Sequence, residues 1–217
     1  MRSSHSHAGL LAVLGAAMLV SACTGGLFES TTPTPSVYLL RVAPAAAPLT
    51  PTLPTLLVVA RPGVRPGLDT DRIIVQHADR RLDTYAGGRW GGALPDVVHS
   101  LLVESLQAQG GWQGVLGEQS AFNGRFLLQT EIREFVAVYG AAGQAPTVRV
   151  SLACELGDNQ ARRLVSTFVV TSEQAAAGNT MHEVIAAFES AFQDAAARIA
   201  AASHTLAAAE LAPPATR

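Results

Sequence analysis

From Thr147 to Leu156 the side chains alternate in character. Val148, Val150, Leu152, Cys154 and Leu156 are apolar, while Thr147, Arg149, Ser151 and Glu155 are polar. A repeat of two residues is that of an extended strand with one buried face and one wet face. Gly157-Asp158-Asn159-Gln160 supplies a turn, and Leu164 to Val170 returns as an antiparallel partner. Upstream, Phe126 to Tyr139 reads as another long strand. Its apolar set runs Phe126, Leu128, Ile132 and then steps to Phe135, which predicts a bulge near Arg133-Glu134. Together these segments predict an antiparallel meander with an apolar face to bury.

Two amphipathic helices are available to cover it. Leu94, Val97, Val98, Leu101, Leu102 and Leu106 follow the i, i+3, i+4, i+7 pattern, which predicts a helix over Leu94–Gln109. Pro95 suits its first turn and Gly110-Gly111 its end. Asp96, His99, Ser100, Glu104 and Gln107 fall on the wet side, so His99 is expected in solvent. Thr180-Met181-His182-Glu183 is a capping box, and Val184, Ile185, Phe188, Phe192, Ala195 and Ile199 trace one stripe after it. That helix is expected to reach about Ala208, roughly 40 Å at 1.5 Å per residue. Its outer face carries Glu189 and Asp194 instead of a basic row, which favours packing on the sheet over lying on lipid.

The segments nearer the N-terminus are shorter. Leu56 to Ala60 reads as a strand ended by Pro62-Gly63, and Ile73-Ile74-Val75 with Leu82-Asp83-Thr84-Tyr85 reads as a hairpin. Ala43 to Pro54 holds four prolines and reads as a loop, and Gly87 to Gly92 as a flexible approach to the first helix with Trp90 as an apolar anchor. The expected fold is α+β: a mixed, largely antiparallel sheet with two amphipathic helices on one face. It forms a single domain over 37–208, followed by a disordered tail over 209–217.

The chain opens with Met1-Arg2, an apolar run from Leu10 to Val20, and Ser21-Ala22-Cys23. The run suits a signal-peptide core and falls short of the ~20 residues of a spanning helix. Val20-Ser21-Ala22-Cys23 resembles a lipobox, so 1–22 is expected to be removed and Cys23 to carry the lipid. Residues 23–36, small, polar and proline-bearing, form a tether. Thr24 stands where enteric bacteria place a retention aspartate, which favours sorting to the outer membrane. The other cysteine, Cys154, then has no disulfide partner and is expected as a buried strand thiol.

Composition removes several classes of function. All 15 basic residues are arginine, so a Walker A loop and a pyridoxal Schiff base are both excluded for want of a lysine. A net charge of −2 offers no basic field for nucleic acid. No Gly-x-Ser-x-Gly elbow occurs, His182-Glu183 lacks a second histidine because position 186 is Ala186, and no Cys-x-x-Cys is present. Asp69 and Asp71 are read as solvated loop carboxylates. No enzyme activity, cofactor or metal is expected, so function must come from a surface. Phe135, Val165 and Val169 fall off the faces assigned to the core, which makes them candidates for docking or self-association. The alternative is a second buried face covered by the loop over Ala43 to Pro54.

The order of these features carries a resemblance. A lipobox, Tyr38-Leu39-Leu40 after the tether, Tyr85 with Arg89-Trp90, Leu94-Pro95 opening a helix, the strand from Phe126-Leu127-Leu128 through Ile132 and Phe135, and Val184-Ile185-Ala186-Ala187-Phe188 with Phe192 together resemble the ABC-type transport auxiliary lipoprotein family. The resemblance spans Val37 to Ala202. It implies a non-catalytic lipoprotein on the periplasmic side of the envelope, lipid-anchored and sorted to the outer membrane, that serves an MCE-linked lipid transport system. The implied partners are an MCE-type membrane-anchored protein and an ABC permease and ATPase, with a homo-oligomer also open to it. The competing reading is a structural or assembly lipoprotein without a transport role.

Overall fold

The structure, a computed structural model, describes residues 35–213 apart from 46 and 141–143. Cys23, the leader and most of the tether lie outside the described residues. The elements run β1 Ser36–Tyr38, β2 Leu53–Val59, β3 Gly63–Val64, β4 Arg72–Gln76, β5 Leu82–Trp90, α1 Leu94–Gln109, β6 Trp112–Gly117, β7 Phe126–Val138, β8 Thr147–Asp158, β9 Arg163–Ala175 and α2 Met181–Leu211.

β7, at 13 residues, organises one nine-stranded sheet. On one edge it pairs antiparallel with β8, which pairs antiparallel with β9. On the other edge it is long enough to take β2, β3 and β4 one after another, all parallel. β6 then lies parallel on β2, while β5 lies antiparallel on β4 and carries β1. The expected α+β fold, with its antiparallel meander and hairpin, is the fold observed.

The bulge expected near Arg133-Glu134 is present, because the register shifts between Ile132 and Glu134. It also corrects the reading of Phe135 as a surface residue. The extra residue restores Phe135 to the inner face opposite Val150, where it is 1% exposed. There it stacks on Phe188 of α2 at 5.1 Å between centroids, with Trp90 edge-on to both at 5.7 and 5.2 Å. This aromatic knot joins sheet to helix at the centre of the core.

Glycines account for two stretches of strand that the side-chain pattern does not show, the end of β5 and β6. The Gly87–Gly92 run was expected to be a flexible lead-in, yet β5 continues through Trp90. Ile74 faces Thr84 while Arg72 faces Arg89, so β5 bulges out by several residues across Tyr85 to Gly88, with Gly87 at φ of 76°. In β6, Gly114 lets Leu56 come so near that an added Cβ would sit 3.0 Å from its Cδ2.

Both helices keep their expected starts. α1 ends at Gly110 and Gly111, with φ of 64° and 82°, and a Cβ on Gly111 would lie 2.6 Å from that of Leu49. Thr180 and Glu183 form both bonds of the capping box. α2 runs on to Leu211 through residues assigned to the tail, and Glu210 there pairs with Arg163. The proline-rich stretch does not cover the second face of the sheet, and β2 already begins within it at Leu53. It is tied instead to the helices. Leu49 N–H donates to Gln109 O at 2.9 Å and His204 Nε2–H to Pro51 O at 2.9 Å, while just before the stretch Arg41 N–H donates to Glu189 Oε1 at 2.9 Å. His99, expected in solvent, is half-buried and donates from Nε2 to Val59 O at 3.0 Å, which links α1 to β2.

Cys154 is 1% exposed, opposite Thr130 and Phe168 on the inner face. Burial pushes its thiol up to about 12, so it stays protonated and unreactive.

Candidate docking surface

The outer face of the meander is wet. Arg149 on β8 bonds Glu173 on β9 at 2.7 Å and lies 3.6 Å from Glu134 on β7, and Ser151 Oγ meets Thr171 Oγ1 at 2.9 Å. The bond to Glu173 is the main reason the Arg149 guanidinium is held above its ordinary range. Within this polar surface Val169 is 51% exposed, beside Ala153. Val165 is only half-buried, and its position follows from the ladder. Leu156 faces Ser166 and Gly157 faces Leu164, so Val165 is the unpaired residue of a bulge, packed against the rim of the core. That bulge turns Leu164 outward, 54% exposed. Val169 and Leu164 are thus exposed on this face, Val165 is half-buried and Phe135 is buried.

Among the described residues β9 pairs only with β8, so its other side is an open sheet edge. Ala176 N–H donates to Pro146 O at 2.9 Å in the same register, so the even-numbered residues bond inward to β8. The main-chain groups of Thr167, Val169, Thr171 and Glu173 therefore point out of the sheet. Thr171 O accepts from Arg198 Nη1 of α2 at 2.8 Å, a contact that nothing in the sequence pattern foretold.

A cleft of about 600 Å³ opens at the tip of the β4–β5 hairpin, lined by His77, Asp83, Tyr85 and Tyr139 among others. Tyr139 donates to Asn179 Oδ1, and Tyr85 donates to Tyr139 Oη at 2.8 Å. Burial, then the bond to Tyr139, drive the Tyr85 phenol above its ordinary range, so it stays neutral. His77 Nε2 lies 3.7 Å from Asp83, beyond hydrogen-bond length. Of the two loop aspartates, Asp71 faces Arg89 at 3.6 Å. Among the described residues no group of three or more His, Cys, Asp or Glu is placed to hold a metal ion. No described helix is long and apolar enough to cross a membrane.

The fold is thus an α+β domain with a solvent-exposed outer face and, at β9, an unpaired strand edge. The sequence model of the ABC-type transport auxiliary lipoprotein component matches residues 38–200. The chain belongs to that family. Among solved structures it is similar to a Xanthomonas campestris protein of family DUF330, at 21% identity and a TM-score of 0.73, covering 81% of this chain and 98% of that one. It is also similar to an uncharacterized protein at 18% identity and a TM-score of 0.62, covering 78% and 99%. These likenesses concern the fold. No protein with a curated description matches.

Proposed function

We propose that this chain is the lipid-anchored, non-catalytic component of an MCE-linked lipid transport system, held at the outer membrane on its periplasmic side. The observation that carries the reading is the family match from Tyr38 to Ile199-Ala200, behind a lipobox-like Val20-Ser21-Ala22-Cys23. A diacylglyceryl thioether with an N-acyl chain gives more than one anchoring chain, which makes attachment stable. ATP hydrolysis falls to another subunit, in keeping with a chain that has no lysine. The domain works by docking the MCE-type membrane-anchored protein, and the outer face around Val165 and Val169 supplies contact.

Replacing Cys23 with serine tests the anchor. The variant should accumulate as uncleaved precursor and fail to reach the outer-membrane fraction, whereas wild-type protein starts at Cys23 and stays there. A Cys23→Ser protein that matures to the same size and remains with the outer membrane would contradict the proposal.

A further inference from the structure

The edge of β9 has an unusual composition for a strand left open. From Leu164 to Ser172 it holds no charge, no proline and no glycine, and Val165, Thr167, Val169, Val170 and Thr171 are all β-branched. Natural sheets blunt such edges with lysine, proline, charge or a covering element, because unpaired N–H and C=O groups template another strand. Among the described residues the guards are the bulge at Val165, at one end of the segment, and a side-chain bond from Arg198.

The segment also mirrors itself. Reading outward from Val169, Phe168 and Val170 are both apolar, Thr167 matches Thr171, and Ser166 matches Ser172. A strand paired antiparallel with its own copy about one residue sets these positions opposite each other. Thr–Thr and aromatic–β-branched pairs are among the favourable cross-strand neighbours. The backbone agrees with the side chains, because Thr167, Val169 and Thr171 are the residues whose main-chain groups face outward.

We propose that the open edge of β9 pairs with β9 of a second copy of this chain, antiparallel and two-fold about Val169. The inference goes beyond the docking role of the outer face and names the occupant of this edge. Val169 exchanges N–H and C=O with Val169 of the second copy, and Thr167 with Thr171 of the second copy. The axis stands normal to the sheet, so the helices of both copies share one side and the outer faces form one continuous polar surface. Such an isologous contact closes on itself and leaves no further β9 edge open. Thr171 O exchanges its bond with Arg198 for an N–H of the second copy. The Arg198 side chain, 52% exposed, is free to turn away.

Cysteine cross-linking of the full lipoprotein in detergent tests the pairing and its register. Facing residues of a hydrogen-bonded antiparallel pair lie about 5.5 Å apart at Cα, within disulfide reach. Val169→Cys should therefore give a disulfide dimer on mild oxidation, while buried Cys154 contributes none. Thr171→Cys alone should remain monomeric, since its counterpart lies about 13 Å away along the strand. The double variant Thr167→Cys/Thr171→Cys should cross-link again. Val169→Pro, which removes an outward N–H without touching the ladder to β8, should abolish dimer seen by native mass spectrometry. A monomeric Val169→Cys protein that still captures an MCE-type protein would overturn the self-pairing and leave the docking function standing. A dimer that captures no transport component would do the reverse. Equal cross-linking of Thr171→Cys alone would overturn the register.

Discussion

Phe188→Ala is expected to lower the free energy of unfolding by about 3–5 kcal/mol, the range for truncating a fully buried aromatic side chain. Phe188 has no exposed surface, stacks on Phe135 at 5.1 Å and takes the edge of Trp90 at 5.2 Å. Its removal opens a void where α2 meets β7 and the end of β5, and close-packed neighbours refill such a space only in part. At about 2–4 °C per kcal/mol for a domain of this size, the melting midpoint should drop by about 6–20 °C. Phe188→Leu keeps much of the volume and should lose markedly less. Urea unfolding followed by circular dichroism reads both, with a shifted midpoint and an unchanged slope. A Phe188→Ala midpoint within error of wild type would mean that this knot does not hold helix to sheet.

The second large effect is expected at the turn between β8 and β9. The Asp158 side chain is wholly buried and takes Arg125 Nε and Nη2, both at 2.9 Å. Its Oδ1 accepts the N–H groups of Gln160 at 2.9 Å and Ala161 at 3.0 Å. Breaking a buried pair typically costs 3–5 kcal/mol; with Arg125 27% exposed and partly hydrated, Asp158→Ala should cost about 3 kcal/mol. Burial alone raises the Asp158 carboxyl, but the Ala161 N–H and Arg125 outweigh it and leave the group below its ordinary 3.8. A carboxyl depressed in the folded state adds stability that is fully present above its unfolded value and is lost as pH falls through the folded one. Wild-type stability should therefore decline below about pH 4, and Asp158→Asn, which keeps an acceptor but cannot ionise, should lack that part of the decline. Urea midpoints measured from pH 7 down to 3 check this, and parallel curves for the two proteins would remove Asp158 from the account.

How much of this was legible before the fold was known depends on the range of the forces involved. α1, the start of α2 and the β7–β8–β9 meander were legible because their determinants are local: caps, stripes at 3.6 residues and alternation at two. β6 was not, since Gly114 interrupts its pattern for a reason found on β2, where Leu56 needs the space. The β5 bulge was hidden in the same way, because its glycines look like a loop until β1 and β4 are seen on either side. Simple alternation puts Phe135 outside, whereas the bulge beside it puts it in the core. One extra residue reverses every face beyond it. For the contact surface, alternation alone exposes Val169. That β9 ends the sheet depends on the strand order, and that Arg198 reaches Thr171 O depends on where α2 lies. Neither is written in the neighbouring residues.

That this chain acts by protein contact within an ABC transport system is tested most directly by affinity capture of the full lipidated protein from its native envelope, with captured proteins identified by mass spectrometry. The expected result is co-enrichment of an MCE-type membrane-anchored protein with its permease and ATPase. Recovery of the lipoprotein from intact complexes with no ABC transport component would contradict it.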